Sequence, residues 1–162
     1  MVERYRRWFE YEKDAHEKVL VSLDTVPAAA REDEAFRKAI ALFAHILAGR
    51  WIWLYRLGHA ETPQTDFFPN DVPLHELPSR VEAMNQAWSD YLAALDETEL
   101  ARICEYRTSQ GDLFRNAVED ILTQLFGHSL YHRGHIASLV KSAGGTAAAT
   151  DFIFWTRQPL QD

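Results

Sequence analysis

Three of the chain's seven histidines lie close together in the stretch HSLYHRGHI, which spans residues 128–136. On an α-helix His128 and His132 stand one turn apart and His135 follows three residues later, so the imidazoles fall within roughly 60° of one helix face. Such a pair can bring two ring nitrogens to the ~2.0–2.1 Å at which a divalent metal binds imidazole. Two ligands do not hold an ion, so this interpretation requires a third from another element. A pair of ordinary surface or packed histidines is the alternative.

The whole chain has the size and composition of one domain. Its 162 residues are 47% hydrophobic, which is enough for a single core over residues 1–162. No apolar run reaches ~18 residues, and the charged N-terminus MVERYRRWFEYEKD lacks the apolar region of a signal peptide. We therefore expect a cytoplasmic protein without a membrane partner. A single cysteine, Cys104, is consistent with a reducing compartment.

The net charge of the chain argues against a nucleic-acid partner. The charge is −7 at pH 7 and the sequence pI is about 5.5. No stripe of Lys and Arg is interleaved with aromatic residues, as binding to a phosphate backbone requires. We expect a small-molecule substrate instead.

Hydrophobic periodicity predicts four amphipathic helices, at about residues 2–23, 32–57, 79–95 and 116–143. Ser79 is the expected N-cap of the third helix, while Gly58 and Gly144 are expected to end the second and fourth. Residues 102–107 and 112–115 flank a turn and predict a short β-hairpin between the third and fourth helices. The predicted fold class is therefore all-α, a four-helix bundle with one hairpin.

His45 is the candidate for the third ligand. It lies in the apolar segment AIALFAHILAG of the second helix, where an unpartnered buried imidazole costs on the order of 1–3 kcal/mol. Gly49, one turn later, makes room beside His45 or lets a neighbouring helix approach closely. Bundle cores host metal sites built from facing helices. One ion joining His45 to His128 and His132 would satisfy the buried imidazole and complete the ligand set.

Four further residues have less demanding interpretations. His16 lies on the apolar side of the first helix, which is typical of a core histidine with a hydrogen bond. His59 and His75 lie in the proline-rich loop over residues 58–77 and are expected to be exposed. Cys104 falls on the first strand, where we expect a small buried side chain and not a nucleophile.

Two other segments are candidates for contacts around the site. Phe67 and Phe68 belong to the long loop and could cover something apolar. Gly127 and Gly134 share a face of the fourth helix roughly 120° from the histidines and could admit another helix. Residues 150–157 are too short for an independent element, so we expect them to pack back over the bundle.

The chain resembles the DinB/YfiT-like family in three segments: HSLYHRGHI, the Gly-Gly pair that ends the fourth helix, and the tail TDFIFWTR. In that family the fourth helix reads H-x-x-Y/H-H-R-G-Q-[IV] and precedes a T-D-[FL]-I-[FY] tail. The likeness extends back through YRTSQG in the hairpin to the helix of His45. It implies a four-helix bundle, usually a homodimer, with one divalent metal on three histidines, which match His45, His128 and His132. His135 replaces the family's glutamine and could act as an extra ligand, a hydrogen-bond partner or a proton shuttle; we expect a polar role beside the ligands, since the three-histidine site is complete without it. Arg133 matches the motif; a surface or interface ion pair and a substrate contact both stay open.

The resemblance also implies a class of reaction. Family members with known activities include bacillithiol S-transferases and mycothiol-dependent maleylpyruvate isomerase. Three neutral imidazoles leave a Zn, Ni or Fe ion its +2 charge and an open position, where it can activate a thiol or water. The leading hypothesis is a metal-dependent S-transferase that uses a low-molecular-weight thiol. The alternatives are a metal-dependent hydrolase, with His135 or His16 as proton carrier, and a non-enzymatic protein whose metal pins the second helix to the fourth.

Overall fold

The fold is built from four long helices, and the computed structural model describes residues 1–63 and 66–160 of it. In chain order the elements are α1 (Val2–Asp24), α2 (Glu34–Leu57), α3 (Leu77–Ala94), α4 (Glu97–Ala101), β1 (Ile103–Arg107), β2 (Leu113–Ala117), α5 (Val118–Ser142) and α6 (Phe152–Thr156). Single 3-10 turns cover Ala28–Ala30 and Leu74–Glu76. The predicted all-α class with a hairpin before the last long helix is confirmed.

Helix α2 lies at the centre of the bundle. It packs most extensively against α5 and also contacts α3, while α1 contacts α5 and α3. Six apolar residues of α2 are buried: Phe36, Ile40, Phe43, Leu47, Leu54 and Leu57. Because these side chains recur at helical steps over nearly the whole helix, α2 can bury against two neighbours at once. None of the helices in the described part of the chain has the length and apolarity needed to cross a membrane.

The ends of α2 and α3 show where local sequence signals decide a helix boundary. Gly58 ends α2 as predicted, with a left-handed φ of 88° that an L side chain rarely adopts. The prediction of Ser79 as N-cap of α3 was wrong, because α3 begins at Leu77 and the Ser79 hydroxyl donates to the Glu76 carbonyl at 2.9 Å. Pro78 explains the difference, since its fixed φ suits the first turn of a helix.

The hairpin joins α3 to α5 through one short helix that the periodicity did not predict. Helix α4 is capped by Asp96, whose carboxylate accepts from the backbone N–H of Glu99 at 2.7 Å. Strands β1 and β2 are antiparallel, with Cys104 opposite Asn116. Since β2 runs on to Ala117, α5 begins at Val118 and not at Asn116 as predicted. Cys104 is buried, as expected.

The chain after α5 returns along α1. A Cβ on Gly145 would lie 2.7 Å from a methyl group of Val26, so only glycine fits where the chain passes the end of α1. The segment then packs over the bundle as predicted, but contrary to expectation it forms a short helix, α6. The rings of Phe152 and Trp155 lie 5.1 and 5.9 Å from that of Tyr11.

Candidate metal centre

Three histidines from two helices converge at one point of the bundle. His45 of α2 and His128 and His132 of α5 each offer a possible ligand atom, and these atoms all lie within 4.8 Å of one another. The Nε2 atoms of His45 and His128 are 3.1 Å apart. Two imidazoles that bind a common ion tetrahedrally at ~2.0–2.1 Å have nitrogens about 3.3 Å apart. The separation of His45 and His128 is therefore close to that of two ligands of one ion.

The loop between α2 and α3 fixes the orientation of His45. Its Nδ1 lies 2.5 Å from the carbonyl oxygen of Phe67, and because a carbonyl only accepts, Nδ1 carries the proton. The Nε2 lone pair thus faces the other histidines, as in metal sites whose ligands are oriented by a carbonyl. The ring of Phe68 stacks on His45 with centroids 4.4 Å apart and an interplanar angle of 4°. Phe67 and Phe68, which were expected to cover an apolar group, therefore cover the imidazole of His45.

The surroundings of His128 and His132 keep these two imidazoles neutral. Burial, reinforced by His132, His45 and Arg50, lowers the pKa of His128 to about 4. Burial, together with His45 and His135, also lowers the pKa of His132. A neutral imidazole has a lone pair to give to a metal, whereas an imidazolium has none. The pair on α5 is therefore in its ligand form near pH 7.

Gly49 lies on the face of α2 that meets α5. A Cβ at this position would lie 3.7 Å from Cε1 of His128. The neighbour at this position is the helix that carries His128, and no atom of His45 lies within 4 Å of such a Cβ, so the contact matches the close approach of a neighbouring helix and not room beside His45. The distance is an ordinary van der Waals contact, so alanine would also fit.

A buried ion network adjoins the histidines. Glu12 of α1 pairs with Arg50 of α2 through one oxygen, and its other oxygen accepts from Arg133 of α5 at 2.6 Å. Arg50 also donates to Ser129 at 3.3 Å, and Arg133 donates to the Tyr11 hydroxyl at 3.0 Å. Although burial raises the pKa of Glu12, the two guanidiniums outweigh it and lower the pKa overall. Arg133 is thus in an ion pair, which was one of the alternatives, but the pair is buried between α1 and α5 and does not lie at the surface.

His16 lies beside this network and apart from the three histidines. It is buried, as predicted, with a ring nitrogen 3.9 Å from the Glu12 carboxylate and its ring against Phe43. The expected hydrogen bond is not formed, since neither ring nitrogen has a partner within residues 1–63 and 66–160. Burial lowers the pKa of His16 to about 3, so the ring is neutral near pH 7.

The remaining candidate residues lie outside the three-histidine group. His59 and His75 are exposed, as predicted. His135 is exposed as well, and it is close enough to His132 to affect that residue's pKa.

Sequence reasoning missed the Glu12 and Arg50 network. The sequence does place both charged residues on the apolar, core-facing sides of their helices, which indicates that they are buried. Glu12 follows the core residue Phe9 by three positions, and Arg50 follows Leu47 by three, so both charged residues share the apolar faces of their helices.

Comparison with known proteins agrees with the fold. The chain matches the model of the DinB family over residues 1–160 and belongs to that family. A DinB-like protein from Bacillus cereus ATCC 10987, known from a crystal structure, superposes with a TM-score of 0.68. The two are 18% identical over 91% of this chain and 95% of that one, a likeness that shows the shared fold. No curated protein matches the chain.

Proposed function

We propose that this protein is a divalent-metal-dependent S-transferase that joins a low-molecular-weight thiol to a small electrophile. The observation that carries the proposal is the convergence of His45, His128 and His132 on one point, together with the burial that lowers the pKa of His128 and of His132. Membership in the DinB family, with the three-histidine site that its resemblance implies, supports the same conclusion. Zn, Ni and Fe ions all accept imidazole ligands.

The three histidines would hold the ion and leave at least one position open to a reactant. A divalent ion supplies Lewis acidity there, which lowers the pKa of a thiol that reaches it. Because the ligands are neutral, they leave the full positive charge to act on the thiol. The carbonyl of Phe67 and the ring of Phe68 keep His45 in the orientation that binding requires.

The proposed reaction has two steps, transfer of the thiol proton and attack of the thiolate on the electrophile. His135, exposed beside His132, accepts the thiol proton on an imidazole nitrogen. The thiolate sulfur then bonds to the electrophilic carbon, and the leaving group departs with the electron pair of the broken bond. The nucleophile comes from the cosubstrate, because Cys104 is the chain's only cysteine, it is buried, and burial raises its pKa.

A mass-spectrometric screen tests the proposal. Metal-loaded protein is incubated with cysteine, glutathione, bacillithiol or mycothiol and an arylating electrophile, and the thioether product is detected. We expect a conjugate with at least one thiol, dependent on metal and absent with the His45→Ala variant. No conjugate with any pair contradicts the proposal. Consumption of an ester or amide without added thiol would instead indicate the hydrolase.

We also propose that the protein is a homodimer, as the family resemblance implies. The α5 face of Gly127 and Gly134 is available for such contact, since a Cβ on either residue meets no described atom within 4 Å. Light scattering coupled to gel filtration measures the mass, which should be twice the 18.7 kDa of one chain. A mass of one chain at micromolar concentration contradicts a stable dimer.

A further inference from the structure

The buried ion network beside the three histidines carries one positive charge in excess. The guanidiniums of Arg50 and Arg133 share the single carboxylate of Glu12, and an arginine stays protonated in proteins. His16 adds no charge near pH 7, because burial lowers its pKa to about 3. Among the described residues, the charged groups that act on Arg50 are Glu12 and Arg133 alone. The excess charge is therefore not neutralised within the network.

This network lies next to the candidate metal ligands. Arg50 donates to the Ser129 hydroxyl at 3.3 Å, and Ser129 follows His128 in α5. The positive charge of Arg50 acts on His128 more strongly than the negative charge of Glu12 does. Arg50 is 4% exposed and Glu12 is 1% exposed, so salt in the solvent screens these charges only weakly. The metal centre is therefore next to a persistent positive charge.

The three-histidine group has no anionic ligand of its own to balance that charge. Its members are His45, His128 and His132, and imidazole ligands leave a divalent ion its full charge. The ion and the excess charge beside it together favour a negatively charged ligand at the open position. A unit charge about 10 Å away, at an effective dielectric constant of ~20, changes the affinity for a monoanion roughly 10-fold. The affinity for a neutral ligand has no such dependence.

We infer that Arg50 makes the metal centre selective for anionic ligands over neutral ones, through the positive charge that it leaves in excess beside His128. Arg50 acts through its charge and is not itself a ligand. The inference rests on the proposed function and deepens it, because the reactive form of a low-molecular-weight thiol is the anionic thiolate. A neutral alcohol or amine gains no affinity from Arg50.

Ligand titrations of the cobalt-loaded protein test the inference, since the visible spectrum of Co²⁺ reports its ligands without any turnover. Azide is the anionic probe and imidazole the neutral one, at constant ionic strength and pH. Arg50→Gln leaves Glu12 paired with Arg133 alone, so the network becomes neutral. We expect the Kd of azide to rise roughly 10-fold and that of imidazole to change little. Arg50→Lys, which keeps the charge, and Arg37→Gln, which replaces an exposed arginine of α2, should keep the parent's ratio of the two Kd values.

Glu12→Gln makes the opposite change of charge and keeps the inference testable if Arg50→Gln fails to fold. Its network has a second positive charge in excess, so the Kd of azide in the metal-loaded fraction should fall roughly 10-fold while that of imidazole changes little. A shift of azide binding in the same direction in both variants would indicate a purely structural role and would overturn the inference. So would an equal ratio of the two Kd values in the parent and in Arg50→Gln. Charge-dependent azide binding without any thioether product would instead contradict the transferase and keep the inference.

Discussion

The carboxylate of Glu12 accepts a 2.6 Å hydrogen bond from Arg133, the residue that follows His132 in the sequence. Its other oxygen pairs with Arg50, five residues after His45. One buried carboxylate on α1 therefore joins the two helices that supply the candidate metal ligands. The relative position of α2 and α5, on which the centre depends, is set in part by this ion network.

Replacement of Glu12 by glutamine should destabilise the fold and weaken metal binding. Glu12→Gln leaves two buried guanidiniums without a counter-charge, and breaking a buried ion pair costs about 3–5 kcal/mol. Urea unfolding measures the loss, and zinc titration of the folded fraction measures the affinity. Glu17→Gln, on the exposed side of α1, is the control and should change neither quantity. A Glu12→Gln variant as stable as the parent would mean that the network does not join the helices energetically.

Acid should destabilise the protein through His16. Burial lowers the pKa of its folded form to about 3, below the ordinary histidine value of 6.5, so the unfolded chain takes up the proton first. The full contribution to stability is present above pH 6.5 and declines as the pH falls toward 3. Each pH unit in this window costs about 1.4 kcal/mol per histidine.

The comparison with His16→Gln isolates this effect from the other histidines. The variant cannot titrate at this position, so its free energy of unfolding, measured in metal-free buffer from pH 6.5 to 4, should fall less steeply than that of the parent. Replacement of the exposed His75 by glutamine serves as control. Parallel curves for the parent and His16→Gln would show that His16 takes up its proton equally well in both states.

Loss of the Phe68 ring should weaken metal binding without unfolding the protein. The ring stacks on His45 yet is 64% exposed, so its removal creates no core cavity. Aromatic pairs contribute about 0.5–1.5 kcal/mol, which corresponds to a metal Kd about 2- to 10-fold higher for Phe68→Ala. Isothermal titration with zinc measures the change, and Phe154→Ala, another exposed aromatic, is the control. Equal Kd values for both variants would show that the stack does not orient His45.

Chelation of the metal should leave the bundle folded. The core is apolar and continuous across α1, α2, α3 and α5, so it does not depend on an ion to form. Far-UV circular dichroism should be unchanged by a chelator, while Tm falls by the amount that mass action predicts for a bound ligand. Complete loss of helix on chelation would favour the structural alternative, in which the metal pins α2 to α5.

The fold was largely predictable because its signals are local. Apolar residues at helical steps identify α1, α2 and α5, and Gly58 identifies the end of α2. The short helix α4 was missed because five residues are too few to show a period. The start of α3 was misplaced because Ser79 and Pro78 indicate different first residues. Ser79 is a good N-cap, but the helix instead begins at Leu77 with Pro78 in its first turn.

The three histidines of the candidate site were predictable from the sequence, but the contacts around them were not. His128 and His132 follow from spacing on one helix, and the burial of His45 follows from its apolar neighbours. The pairing of Glu12 with Arg50 and Arg133 was not predictable, because it joins residues 38 and 121 positions apart and periodicity does not report which helix faces meet. The contacts of Phe67 and Phe68 with His45 depend on the path of an irregular loop, which no repeat encodes.

The central claim is that His45, His128 and His132 together bind one divalent ion. Elemental analysis of protein purified from its native source, and of His45→Ala expressed alongside it, tests this claim most directly, with His75→Ala as the matched control. We expect about one metal ion per chain in the parent and in His75→Ala, and less than about one tenth in His45→Ala, because two imidazoles alone do not retain an ion through purification. Stoichiometric metal in His45→Ala, or none in the parent, would contradict the account.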